Sequence, residues 1–200
     1  MLIKLLSHSE KKLLLKLCKL LAISDNDLLW DGKTIDEVTS NTNFNSLSIK
    51  QDKQKEELIL DLIRSSALKD VSCSTRASTL DDENFIRSFS HEIEIRLGNI
   101  LKELPIHKVN MTANRISAVS GLLGDLLEGF SSKKPETPKI MLYELILVAL
   151  KDGSISEIEM SFLKEFQQRC GIEGFIFDDI LERAQSLNAE MAKTLAIIYE

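Results

Sequence analysis

The side chains best spaced for chemistry stand in the segment Lys151-Asp-Gly-Ser-Ile-Ser-Glu-Ile-Glu159, where the carboxylates of Asp152 and Glu159 flank the hydroxyl of Ser156. Two acidic groups about a glycine turn suit a hard divalent cation, and D-G-x-I-x-x-x-E is the order of the second half of an EF-hand loop. Counting back, the first and third ligand positions fall on Val148 and Leu150. Those side chains cannot coordinate calcium, so an EF-hand is excluded. The same residues also spell a helix start: Asp152-Gly153 as a turn, Ser156 as N-cap, Glu159 as its reciprocal partner, and Ile155 as a staple against Met160. That structural reading accounts for every residue. The alternative is a weak divalent-cation site on Asp152 and Glu159, completed by a distant carboxylate such as Asp178 or Asp179.

A second candidate is the stripe Lys12, Lys16 and Lys19 on one helix face, since only Glu10 offsets five lysines in the first twenty residues. Such a face is either simply solvated or meets an acidic protein partner, lipid head groups of a membrane surface or nucleic acid, of which the last two are the less favoured. Trp30, beside Asp31-Gly32, reads as an anchor at the edge of the core, or as an interface residue if exposed. His8, His91 and His107 have no partner at zinc-ligand spacing. Ser120-Gly121 lacks the elbow of a serine nucleophile, and Gly121-x-x-Gly124 reads instead as a place where two helices approach closely. No P-loop, dinucleotide fingerprint or kinase signature is present. The expectation is a non-catalytic protein.

The elements that must position these residues are helical. The chain has 200 residues, 44% hydrophobic and 28% charged, with only 8 Gly and 3 Pro to interrupt helices. Ser7-x-x-Glu10 is a capping box opening a leucine-rich helix to about residue 22, with the lysine stripe as its wet face. Residues 39–47 are polar and asparagine-rich, as a surface loop would be. Ser48-x-x-Gln51 predicts a second helix start, running to about residue 68. Helices follow over 85–104 and 111–130, split by Pro105, with connections at 70–80 and 131–139. The apolar run 140–150 predicts the buried centre of the fold. A helix from Ser156 ends at Gly171, and two short helices finish the chain with Leu187, Met191, Leu195 and Ile198 facing inward. No segment alternates with period two, so strands are not expected. The fold class is therefore all-α, a bundle of about seven to eight helices, organised as residues 1–38, a variable middle 39–139, and residues 140–200.

Charge and cysteines bound the function. The net charge is −6, and residues 141–200 carry 5 basic against 11 acidic side chains. That surface repels phosphate backbones, so nucleic acid is not an expected partner. Cys18, Cys73 and Cys170 are too few and too scattered for a disulfide framework, which points to a reducing, cytoplasmic setting. Lysines interrupt the apolar N-terminal stretch, no small-residue cleavage site follows, and the run 140–150 is too short to span a bilayer.

Tyr143–Phe166, YELILVALKDGSISEIEMSFLKEF, resembles the TerB-like family named for tellurite-resistance proteins: an apolar helix, Asp-Gly, a capping Ser and Glu, then an amphipathic helix. The opening Leu6, Ser7, Glu10, Lys11 and the leucines after it resemble the start of such chains. The likeness covers about 50 residues at one end and about 20 at the other, and residues 40–135 match nothing in it. It implies a compact helical core carrying a long middle insertion. It also implies either an accessory or adaptor subunit of a bacterial stress or phage-defence assembly, or a metal-responsive module centred on Asp152 and Glu159. Asp31-Gly32 would be the counterpart of Asp152-Gly153, although no capping Ser or acidic residue follows it at the matching offset.

Overall fold

The computed structural model describes residues 1–66, 78–132 and 134–199, and only the backbone of 78–87 and 199. Cys73, most of the expected connection at 70–80 and the inward faces expected of Phe85 and Ile86 lie outside the described residues and side chains. Eight α-helices run in order among the described residues: α1 His8–Ile23, α2 Lys53–Ser66, α3 Ser78–Lys102, α4 Ile106–Val109, α5 Thr112–Leu127, α6 Thr137–Ala149, α7 Glu157–Arg169 and α8 Gly174–Tyr199. The all-α bundle is what the leucine and isoleucine spacing requires.

α1 and α6 lie against one another at the centre, and α2, α3, α5, α7 and α8 pack around them. Leu14, Leu17, Leu20 and Leu21 of α1 and Met141, Leu142, Leu145 and Ile146 of α6 are fully buried. At about 1.5–3 kcal/mol per buried aliphatic side chain, this pair contributes more to the apolar core than any other two helices among the described residues. α1 starts as its capping box predicts: the Glu10 N–H donates to Ser7 Oγ at 3.4 Å and the Ser7 N–H to Glu10 Oε2 at 2.7 Å. The apolar run 140–150 is buried as expected. α5 packs against both α1 and α7, and α3 against α1 and α5, so the middle helices share the same core.

Four expectations give way. A short antiparallel pair exists, β1 Leu28–Trp30 with β2 Leu47–Ile49, in the register Leu28↔Ile49 and Trp30↔Leu47. Three residues are too few to show an alternation. The signal was Asp31-Gly32, whose φ of 53° and 77° build the two-residue reversal that lets the Trp30 and Lys33 backbones exchange hydrogen bonds of 2.7 and 3.0 Å. Ser48 lies in β2, not at a helix start. The cap of α2 is Asp52, whose Oδ1 accepts from the Gln54 and Lys55 N–H groups at 2.8 and 3.3 Å. The last two short helices are one, α8, because no Gly or Pro interrupts residues 175–199. Gly121 has open space where a side chain would point, and Gly124 meets only the Arg169 guanidinium, so neither lets two helices close up. Gly171, at φ 66°, ends α7 as predicted: its N–H donates to Gln168 O and that of Ile172 to Gln167 O.

Candidate functional site

The turn after α6 and the start of α7 bring Asp152 and Glu159 together. Glu159 is a working cap residue: the Ser156 N–H donates to its Oε2 at 2.9 Å and its own N–H donates to Ser156 Oγ at 3.2 Å. Gly153, at φ 88°, supplies the left-handed residue that lets the chain leave the 3-10 turn Leu150–Asp152. The side chain set between these two carboxylates is Lys55, from the first turn of α2. Its Nζ lies 3.0 Å from Glu159 Oε1, 3.0 Å from Asp152 Oδ2 and 3.5 Å from Asp25 Oδ1, the last in the segment after α1. The Lys55 and Glu159 side chains are 3% and 1% exposed. Asp25 and Lys55, rather than Asp178 or Asp179, complete the pair.

The two halves of this node mirror one another. Ala22-Ile-Ser-Asp25 ends α1 as Ala149-Leu-Lys-Asp152 ends α6. Asp52-x-x-Lys55 then opens α2 as Ser156-x-x-Glu159 opens α7. In this node Asp25 stands beside Lys55 as Asp152 does, whereas Asp31 lies in the reversal after β1. The connections differ, residues 26–51 against 153–155, so no fixed period reveals the correspondence.

Burial alone would lower the Lys55 pKa. Hydrogen bonding to Asp152, then the charge and hydrogen bond of Glu159, then the charge of Asp25 outweigh it, and the net shift is upward. An ammonium held this way is neither a base nor a nucleophile at neutral pH. Burial raises the pKa of Glu159, against the pull of the Ser156 N–H and Lys55. Asp25 also faces Arg115 of α5, whose pKa burial lowers while Asp25 and Asp27 oppose the shift. The Arg115 guanidinium donates to Ser24 O at 2.6 Å and Asn26 O at 2.9 Å, capping the carbonyl end of α1. Among the described residues, no group of three or more His, Cys, Asp or Glu side chains is placed to hold a metal ion.

The lysine stripe resolves into tertiary contacts. Lys19 is not on a wet face: it is buried, with Nζ 2.7 Å from Glu94, 3.3 Å from Glu56 and 2.8 Å from Gln51 Oε1. α3 covers that face of α1, a packing that the spacing within α1 could not disclose. Lys16 pairs with Glu92 at 3.2 Å, Lys11 donates to Ser66 O, and Lys12 is exposed. Trp30 is buried against the tilted ring of Phe44, 6.0 Å between centroids, so it is a core anchor and not a surface for a partner. The Cys18 thiol is driven upward in pKa by burial and by Glu144, and burial pushes Cys170 up to about 11. Neither is an activated thiolate.

Spacing within single elements missed Asp25, Lys55, Arg115 and Glu144. Glu144 carried a signal, as the one charged residue within the apolar run 140–150. It is buried and accepts hydrogen bonds from the backbone N–H groups of Leu2 and Ile3, tying the first residues to α6. Comparison with family models, with curated proteins and with solved structures returns no match. Among the described residues no helix is long and apolar enough to cross a membrane.

Proposed function

We propose that this chain is a non-catalytic helical interaction module, an adaptor or accessory subunit that docks onto another protein. The observation that carries the reading is the second half of α8. From Ala189 to Ile198 every residue is exposed, and Leu187, Met191, Leu195 and Ile198 stand 46%, 57%, 47% and 67% open. These are the residues that the sequence placed in the core. An amphipathic helix whose apolar side has left its own body is one of the recurrent forms of docking element. The polar node at Lys55 supports the non-catalytic reading, because its ammonium is fully engaged and its carboxylates are held by it. The likeness to TerB-like chains gives the setting proposed here, a bacterial stress or phage-defence assembly in the cytoplasm.

The test uses the protein as bait, in three forms. Wild type should retain a defined partner, and Leu195→Glu with Ile198→Glu should lose it. Lys12→Glu with Lys16→Glu should keep it, since the docking face is α8. Equal retention by all three forms would overturn the reading. The divalent-cation alternative, in which an ion displaces Lys55 from Asp152 and Glu159, is decided by calorimetry with calcium, magnesium and zinc. Binding tighter than about 10 µM, roughly 7 kcal/mol, that is lost in Asp152→Ala would establish it in place of the adaptor.

A further inference from the structure

α8 is twice as long as the helix it lies on. Its 26 residues reach about 39 Å, whereas the 13 residues of α6 reach about 20 Å. Over the shared length Phe177 and Ala184 are buried, with Ile180 and Leu181 packed beside them. Where α6 gives way to its 3-10 turn, the Asn188 amide donates to Leu150 O at 3.2 Å. Beyond that point the helix continues, with every residue from Ala189 to Ile198 exposed. The seam does not end with it: Phe177, Leu181, Ala184, Asn188, Met191, Leu195 and Ile198 follow one another in steps of four and three, the spacing of a helix built to meet another helix.

We propose that the overhanging half of α8 pairs with the same segment of a second copy of this chain, antiparallel, about a twofold axis close to Lys193. In that register Met191 of each copy meets Leu195 of the other. Ile198 of each copy then covers the Asn188–Leu150 hydrogen bond of its mate and closes the seam against the body. Two observations select this occupant, and a packing constraint selects its direction. The residues flanking the seam, Leu187, Ala192 and Thr194, carry no charge, so like meets like without repulsion. The two charges of the overhang, Glu190 and Lys193, are bonded to each other at 2.7 Å within their own helix. Packed helix axes lie about 8–10 Å apart, so parallel pairing would drive two wider bodies into the same space, whereas antiparallel pairing puts them at opposite ends. Such a pairing buries on the order of 1,000 Å² in total, the lower edge of specific interfaces, so the dimer is reversible and concentration-dependent. Because each chain carries −6, added salt screens the mutual repulsion of the bodies and does not dissolve the apolar seam.

The inference deepens the interaction-module reading, which names the same helix as the docking element, and sedimentation equilibrium of the full chain separates the two. Wild type should pass from monomer to dimer between about 5 and 500 µM, no less readily in high salt. Met191→Glu with Leu195→Glu should raise the dissociation constant at least about tenfold. Met191→Glu with Leu195→Lys should recover much of that loss, because the antiparallel register sets each new acid against a new base, whereas a parallel register sets like against like. Circular dichroism checks that all three stay folded, which their exposure favours. A wild type that is monomeric throughout overturns the second copy while leaving bait capture through α8 standing. A dimer undiminished in the double-glutamate chain, or no recovery in the glutamate–lysine chain, overturns the seam or its direction.

Discussion

The starts of α7 and α2 do the same structural work with opposite chemistry, and they meet at their third residues. α7 begins with Ser156 as cap and places Glu159 where its carboxylate both accepts the cap's N–H and faces the positive end of the helix dipole. α2 begins with Asp52 as cap and places Lys55 at the equivalent position, where the same dipole opposes an ammonium by roughly 0.3–1 kcal/mol. Every local rule favours α7 as written. α2 is intelligible only when Glu159, Asp152 and Asp25 are brought to it. A residue that breaks its own helix's rule is thus the mark of a tertiary contact, and here that contact joins the α1–α2 half of the molecule to the α6–α7 half. Buried pairs of this kind add little net stability but fix which arrangement is adopted, because any other leaves a charge uncompensated.

The most direct way to break this relation is to remove one member. Lys55→Met strands Glu159 and should cost about 3–5 kcal/mol in urea unfolding. Adding Glu159→Gln to the same chain should return a large part of that loss, since the amide still accepts from the Ser156 N–H and the most deeply buried carboxylate of the node is gone. If the two substitutions cost as much together as the sum of their separate effects, the residues do not act as a pair.

Raising the pH removes the same charge more gently. The folded-state pKa of Lys55 lies above its ordinary 10.5, so its contribution is fully present below that value and disappears as the pH climbs through the higher folded value. Wild type should therefore lose stability relative to Lys55→Met only in strongly alkaline solution, with the gap between them constant from neutral pH to about 10. A gap that stays constant even in strongly alkaline solution would mean that Lys55 titrates in the folded chain as an ordinary exposed lysine.

The same contrast explains what the sequence could reveal. Ser7-x-x-Glu10 and Ser156-x-x-Glu159 put cap, partner and apolar stripe within a few residues, so α1 and α7 could be located by reading along the chain. The Lys55 node is assembled from residues 25, 55, 152 and 159, and no window contains them. Lys19 misled for the same reason: its spacing with Lys12 and Lys16 describes a wet face, while α3, which brings Glu94 to it, comes from far along the chain. Leu187, Met191, Leu195 and Ile198 misled in the other direction. Their period is that of a buried stripe, and spacing reports that a face is apolar without saying which molecule covers it.

The caps themselves allow a finer comparison. Ser156→Ala should cost about 1 kcal/mol, the usual worth of a lost N-cap. Asp52→Ala should cost more than Ser156→Ala, because the aspartate carries a charge that offsets the dipole's opposition to Lys55 as well as accepting two N–H groups. Asp52→Asn separates the two roles by keeping the acceptor and deleting the charge. Thermal unfolding that ranks Asp52→Asn with wild type would show that the cap's hydrogen bonds, not its charge, hold the start of α2.

The smallest effect belongs to a lysine one turn from a buried one. Lys16 and Lys19 share a face of α1 and both meet carboxylates of α3, Glu92 and Glu94, at 3.2 and 2.7 Å. Lys19 is shut away, whereas the Lys16 and Glu92 side chains are 31% and 46% exposed, and solvent screens that pair. Lys16→Ala should therefore change stability by less than about 1 kcal/mol, and the change should shrink further in high salt. Lys19→Ala should cost several times as much and keep its cost in salt, because it leaves Glu94, Glu56 and Gln51 gathered around an empty centre. Equal costs for the two substitutions would mean that α3 sits no closer to α1 at Lys19 than at Lys16, and the burial that separates these lysines would have to be abandoned.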